Sequence, residues 1–127
     1  MKKIIGLVLI IGLSAFQEVI DLPPGAFQTK IKENPDGVII DCRTKEESST
    51  GRLPHAVLLD YRKDEFEAQI AALDKDKTYF VYCGNGIRSD QAIDVMERLG
   101  FKRYYNLIGG FKAWKADGLE VVEPYND

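Results

Sequence analysis

Cysteine, histidine and tryptophan are scarce in this 127-residue chain, at two, one and one, and it carries no basic block, low-complexity tract or internal repeat. Each shortage excludes something. Without a repeat there is no stacked array of short units. With a net charge of −3 and no interleaving of basic and aromatic residues, a nucleic-acid surface is not expected. The one histidine, His55, is the only partner a cysteine–histidine dyad could use, and it lies in a polar loop ahead of a strand, with no sign of reach to a nucleophile. The longest apolar run, Ile4 to Leu13, is ten residues of aliphatic side chains and glycine, too short for a permanent membrane anchor. What remains, 45% apolar and 29% charged, suits one folded domain with its own core.

That apolar run follows Met1-Lys2-Lys3 and precedes Ser14-Ala15, the layout of a secretory leader. Residues 1–17 are therefore expected to be a signal peptide, with its cleavage point open, and residues 18–127 the folded domain. The other reading of the run is a buried N-terminal strand or helix. No cysteine follows directly, which excludes a lipid-modified cysteine anchor. The expectation is an exported, periplasmic protein with no stable membrane span after leader removal. Two cysteines in an exported chain suggest a disulfide. Here their contexts differ: Cys42 belongs to an apolar strand and reads as core, Cys83 to a glycine-rich loop and reads as reactive. A reversible bridge between them is left open.

Glu18–Asp21 reads as a short edge strand closed by Pro23-Pro24, and Gly25–Glu33 as a helix with Phe27 and Ile31 on one face. After the Asn34-Pro35-Asp36-Gly37 turn, Val38–Asp41 is an unbroken apolar run ending in a carboxylate, as in a strand buried on both faces. Thr44–Thr50 is a polar turn or short helix, Val57–Asp60 a strand, and Asp64–Leu73 a helix. Thr78–Cys83 is strongly β-prone. Ser89–Leu99 has helical spacing at Ala92, Ile93, Met96 and Leu99, with Gly100 as its stop. Tyr104–Leu107 is the last strand, and Gly109-Gly110 turns into a helix over Phe111–Ala116, where Trp114 and Phe111 read as core. Alternating strands and helices predict an α/β fold with a parallel sheet covered on both faces. Ligands bind beyond the carboxyl ends of such strands. Asp41, Cys83 and Gly109-Gly110 all lie there.

The segment Cys83-Gly84-Asn85-Gly86-Ile87-Arg88-Ser89 places a thiol where a strand gives way to a helix. Glycines at 84 and 86 let successive N–H groups converge into an anion nest, and the helix adds the positive end of its dipole. Such surroundings lower a thiol from its usual pKa of about 8.5. Arg88 offers a planar donor fork for an oxyanion.

The segment resembles the active-site loop of the single-domain rhodaneses, a sulfurtransferase family, with its Cys-x-x-Gly-x-Arg-Ser pattern. Three further stretches resemble the family in order: Val38-Ile-Ile-Asp41-Cys42-Arg43 with Glu46-Glu47, Gly51-Arg-Leu-Pro54-His-Ala56, and Leu107-Ile-Gly109-Gly110-Phe-Lys-Ala-Trp114. The resemblance implies a three-layer α/β/α domain around a five-stranded, mostly parallel sheet. It also implies a ping-pong reaction in which Cys83 takes a sulfane sulfur from thiosulfate or a persulfide. The sulfur then passes to cyanide or a thiol, including one carried by a protein, without metal or organic cofactor. It further implies that the loop amides hold the persulfide, that Arg88 orients the donor's sulfonate, that Arg43 pairs with Glu47 in a structural salt bridge, and that Asp41 supports the loop. Four residues separate Cys83 from Arg88, where related phosphatases and arsenate reductases have five. Those enzymes are one alternative, and a non-catalytic binding or sensing module is another. Departures from the family pattern at Ser48, Arg52, His55 and Gly84 bear on substrate preference more than on reaction class.

Overall fold

A computed structural model describes residues 18–126; the expected leader lies outside them. The elements are β1 (Asp21–Leu22), α1 (Pro24–Glu33), β2 (Val38–Asp41), a 3-10 turn (Glu47–Thr50), β3 (Val57–Leu58), α2 (Phe66–Ala71), β4 (Thr78–Tyr82), α3 (Ile87–Arg98), β5 (Arg103–Leu107) and α4 (Gly110–Ala116). The strands form one sheet in the order β1-β5-β4-β2-β3, and every pairing is parallel. This is the expected α/β architecture. No helix among the described residues is long and apolar enough to cross a membrane.

The strand pleat sorts the core into two layers, because successive side chains leave a strand on opposite faces. Ile40, Cys42, Tyr79, Val81 and Cys83 face α2 and α3, where Phe66, Ile70, Ala92, Ile93 and Met96 close over them. Ile39, Phe80, Tyr82, Tyr105 and Leu107 face α1 and α4, meeting Phe27, Phe111 and Trp114. Phe27 stands edge-on to both Phe80 and Trp114, at ring separations of 5.6 and 6.4 Å. Trp114 is core, and its indole N–H donates to Glu120 O at 2.8 Å.

The central strand β4 runs between β2 and β5 and ends at Tyr82. The following residue, Cys83, therefore emerges in the middle of the sheet's carboxyl edge. Helix α3 begins at Ile87, two residues earlier than its apolar spacing predicts, after Gly86 in the left-handed region at φ 97°. That positive φ is open to glycine with little strain. It folds the chain back sharply enough to bring the helix's free N–H groups onto the sulfur.

Candidate active site

The Cys83 sulfur occupies the position of a capping group at the N-terminus of α3. The first amides of a helix have no carbonyl partner within it, and no side chain caps this one in the usual way. Instead Sγ accepts the Gly86 N–H at 3.1 Å and the Ser89 N–H at 3.4 Å, with Ser89 Oγ a further 3.4 Å contact. Burial pushes the thiol's pKa up. The Ser89 hydroxyl and the Ser89, Asn85 and Gly86 N–H groups outweigh that burial, and the pKa ends below the ordinary thiol value. The Asn85 side chain shapes the loop, its Oδ1 accepting the Ile87 N–H at 3.1 Å and lying 3.9 Å from Cys83 Sγ.

Gly109 and Gly110 are part of the same construction. The Phe111 N–H donates to Cys83 O at 2.8 Å and the Lys112 N–H to Gly84 O at 3.2 Å, tying the start of α4 to the loop. A Cβ on Gly110 would come within 2.5 Å of Cys83 O and 2.6 Å of Gly84 C, and the residue's φ is +61°. Only glycine permits this approach.

The structure corrects two expectations about the acidic and basic residues around the loop. Arg43 does not pair with the Glu47 carboxylate. Its Nε and Nη2 donate to Asp41 Oδ1 and Oδ2 at 2.9 and 2.8 Å, and its own N–H reaches Oδ1 at 3.0 Å. Asp41 does not brace the loop either; its Oδ2 also accepts the hydroxyls of Tyr82 and Tyr125 at 2.8 and 3.0 Å. The pairing is local: Arg43 follows Asp41 by two residues, just past the end of β2, and both its N–H and its guanidinium turn back onto that carboxylate. Arg43 still holds the turn that follows, donating to Gly51 O at 2.8 Å and, more weakly, to Glu47 O at 3.4 Å.

Glu47 turns its carboxylate to Arg88 in a two-pronged pair, Nη1 to Oε1 at 2.7 Å and Nη2 to Oε2 at 2.6 Å. Arg88 and the Thr44 bonds together lower the Glu47 pKa to about 2, the Arg88 bond being the largest influence and burial opposing it. A capping box holds Glu47 in place: its N–H donates to Thr44 Oγ1 at 3.1 Å, while its Oε1 accepts the Thr44 N–H at 3.2 Å and hydroxyl at 3.1 Å. The Thr44-x-x-Glu47 signature was available in the sequence. Arg88 is thus at the loop as expected, but its fork faces Glu47.

A cavity of about 380 Å³ opens beside the loop, lined by Tyr61, Arg62, Asn85, Ile87, Arg88 and Gln91. Tyr61, Arg62 and Gln91 were not singled out by any motif; they reach the site from the segment after β3 and the exposed face of α3. Arg62 Nη1 is 3.9 Å from Glu47 Oε1, a second cation near that carboxylate. His55 goes elsewhere. It lines a separate cavity with Ile31, Leu53 and Trp114, and its backbone is left-handed at φ 65°. Among the described residues, no group of His, Cys, Asp and Glu is arranged to hold a metal ion.

Comparison with known proteins agrees with this arrangement. Residues 24–117 match the model of the rhodanese-like domain. The chain is 32% identical over 95 residues to a sulfurtransferase of Allochromatium vinosum, covering 75% of this chain and 87% of that protein. It is 37% identical over 81 residues to the thiosulfate sulfurtransferase GlpE of Coxiella burnetii, covering 64% of this chain and 74% of that one. Its structure is similar to the crystal structure of a rhodanese-like domain protein from Staphylococcus aureus, with a TM-score of 0.68, 28% identity, and coverage of 82% and 99% of the two chains. With fold, loop and sequence in agreement over most of its length, the chain belongs to the rhodanese-like domain family.

Proposed function

We propose that this protein is a sulfurtransferase that carries sulfane sulfur on Cys83. The observation that carries the reading is the hydrogen-bonded sulfur itself: a buried thiol at a helix N-terminus, met by two N–H groups and a hydroxyl. The relatives named as sulfurtransferases support it. In the first half-reaction the Cys83 thiolate attacks the outer sulfur of thiosulfate. The S–S bond of the donor breaks, sulfite leaves with the electron pair, and a persulfide remains on Cys83. In the second, cyanide or a thiolate attacks that outer sulfur, so thiocyanate or a new persulfide departs and the Cys83 thiolate returns. A protein persulfide can replace thiosulfate as donor, and a protein thiol can be the acceptor. Loop N–H groups that hold the thiolate also suit the persulfide anion.

Because Arg88 is engaged by Glu47, a donor's sulfonate binds Arg88 only by competing with that carboxylate. Arg62 is the nearby cation that assists. Export to the periplasm is proposed on the N-terminal charge-then-apolar pattern, and intact mass of the secreted chain tests it.

On brief exposure, thiosulfate should add one sulfur to Cys83 as the first species formed, visible in the intact mass and removed by cyanide, and Cys83→Ser should abolish both. An unchanged mass, with Cys83 open to alkylation, would overturn the reading. Hydrolysis of an aryl phosphate without any sulfur loading would move the activity to phosphoryl transfer.

A further inference from the structure

The transfer cycle uses one thiol, yet a second lies beside it. Strands β2 and β4 pair in register with Asp41 opposite Tyr82, and the Cys42 N–H extends the ladder to Tyr82 O at 2.8 Å. Cys42 and Cys83 are the first residues past the ends of these two strands, so the two cysteines are neighbours across the end of the ladder. They face the same side of the sheet, within one apolar layer with Ile40, Val81 and Ala92. Neighbouring strands run about 4.8 Å apart, inside the roughly 4.4–6.8 Å Cα separation that a disulfide accepts. Both thiols are free and both residues are 0% exposed.

We propose that Cys42 is a resolving thiol for Cys83, closing a Cys42–Cys83 disulfide once Cys83 carries a sulfane sulfur or a peroxide oxygen, and expelling hydrogen sulfide or water. In the first case Cys42 attacks the Cys83 Sγ. The bond from Sγ to the outer sulfur breaks, and that sulfur leaves with the electron pair and the Cys42 proton as hydrogen sulfide. The sulfane sulfur is reduced and the cysteine pair oxidised, so no further oxidant is needed. In the second case the Cys83 thiolate takes an oxygen from hydrogen peroxide, forming a sulfenic acid and hydroxide. Cys42 then displaces that oxygen as water. A dithiol reductant reopens the bridge by exchange. The protein would thereby release sulfur as sulfide when no acceptor arrives.

The two thiols are poised differently. Burial pushes the Cys42 thiol well above the ordinary value, and the charges of Cys83 and Asp41 add to that. While Cys83 is a thiolate, Cys42 therefore stays protonated and unreactive. Loading moves the negative charge from Cys83 Sγ to the outer sulfur, oxidation to the sulfenic acid removes it, and either gives Cys42 a sulfur to attack.

The sulfide branch rests on the sulfurtransferase reading; the peroxide branch does not, so the two can fail separately. The full chain is treated, without reductant, with thiosulfate in one arm and hydrogen peroxide in the other. Each sample is then denatured and its alkylatable thiols counted by mass. The expected result in either arm is loss of both thiols and a Cys42–Cys83 linked peptide pair, with sulfide released in the thiosulfate arm. In Cys42→Ala and Cys42→Val the persulfide should persist, and peroxide should carry Cys83 on to the sulfinic acid. A lasting persulfide on the unmodified chain, together with sulfinic acid instead of a disulfide, would overturn the resolving role and leave sulfur transfer intact. A disulfide from peroxide with no sulfur loading would sustain the resolving role and reject the transferase. Two free thiols in both arms would overturn it.

Discussion

Two of the arginine–carboxylate pairs in this domain lie near the carboxyl edge of the sheet, and they differ in what surrounds them. Arg43 and Asp41 are sealed in, with side chains 2% and 0% exposed, and Arg43 lies 4.1 Å from the centre of the Phe111 ring. Arg88 and Glu47 sit at the loop, 15% and 36% exposed, next to an open cavity. Solvent and the cavity reach the second pair and not the first. A buried pair cannot exchange partners, so Asp41 and Arg43 fasten the end of β2 to the following turn. An accessible pair can, and under the proposed function that makes Glu47 an adjustable competitor for the cation assigned to the donor.

The difference can be broken most forcefully at the buried pair. Asp41→Asn removes the countercharge of an enclosed guanidinium and should cost roughly 3–5 kcal/mol of stability, read from urea unfolding. A loss under about 1 kcal/mol would mean that the pair is not the anchor described. The accessible pair should respond in binding instead. Glu47→Gln frees the Arg88 fork and should lower KM for thiosulfate about tenfold, near 1.4 kcal/mol, with little change in unfolding midpoint. An unchanged or raised KM would show that Glu47 positions Arg88 rather than competing for it.

Acid should separate the pairs further. Glu47 has a folded-state pKa lowered to about 2, so its stabilising bond to Arg88 is complete above an ordinary carboxylate pKa of about 4.3 and is lost as pH falls toward 2. Solvent screening keeps this contribution small. Glu47→Gln should remove its part of the acid dependence between those values; an identical acid profile in the variant would contradict the assignment. The smallest effect is expected at His55, whose left-handed backbone is strained. His55→Gly should shift stability by about 1 kcal/mol or less, upward, since relief of strain outweighs the glycine's added unfolded-state freedom. A clear drop would mean that the imidazole makes a contact worth more than the strain.

The sequence carried the loop well because its signals are local. A β-prone run into Cys83, glycines at 84 and 86, and helical spacing from Ala92 onward are readable residue by residue, and they placed the sulfur at a helix start. The partners of the charged residues were harder. Asp41 and Arg43 are two apart at the end of β2, and Thr44 and Glu47 form a capping box; both cues lie in the sequence and point away from the pairing of Arg43 with Glu47 that the resemblance implies. What local cues could not supply was register. That Cys42 stands beside Cys83 depends on β2 lying next to β4 with Asp41 opposite Tyr82, and strand order and register are tertiary facts. Tyr61 and Arg62 reach the cavity for the same reason, from a segment with no motif of its own.

The most direct test is the pH dependence of Cys83 alkylation in the folded chain, with Cys42 identified separately by peptide mass. Four groups near the sulfur, the Ser89 hydroxyl and the Ser89, Asn85 and Gly86 amides, predict a midpoint below that of an ordinary thiol, such as free cysteine alkylated alongside. A midpoint at or above that value would mean that burial prevails over the loop, and Cys83 would then be packing rather than a nucleophile.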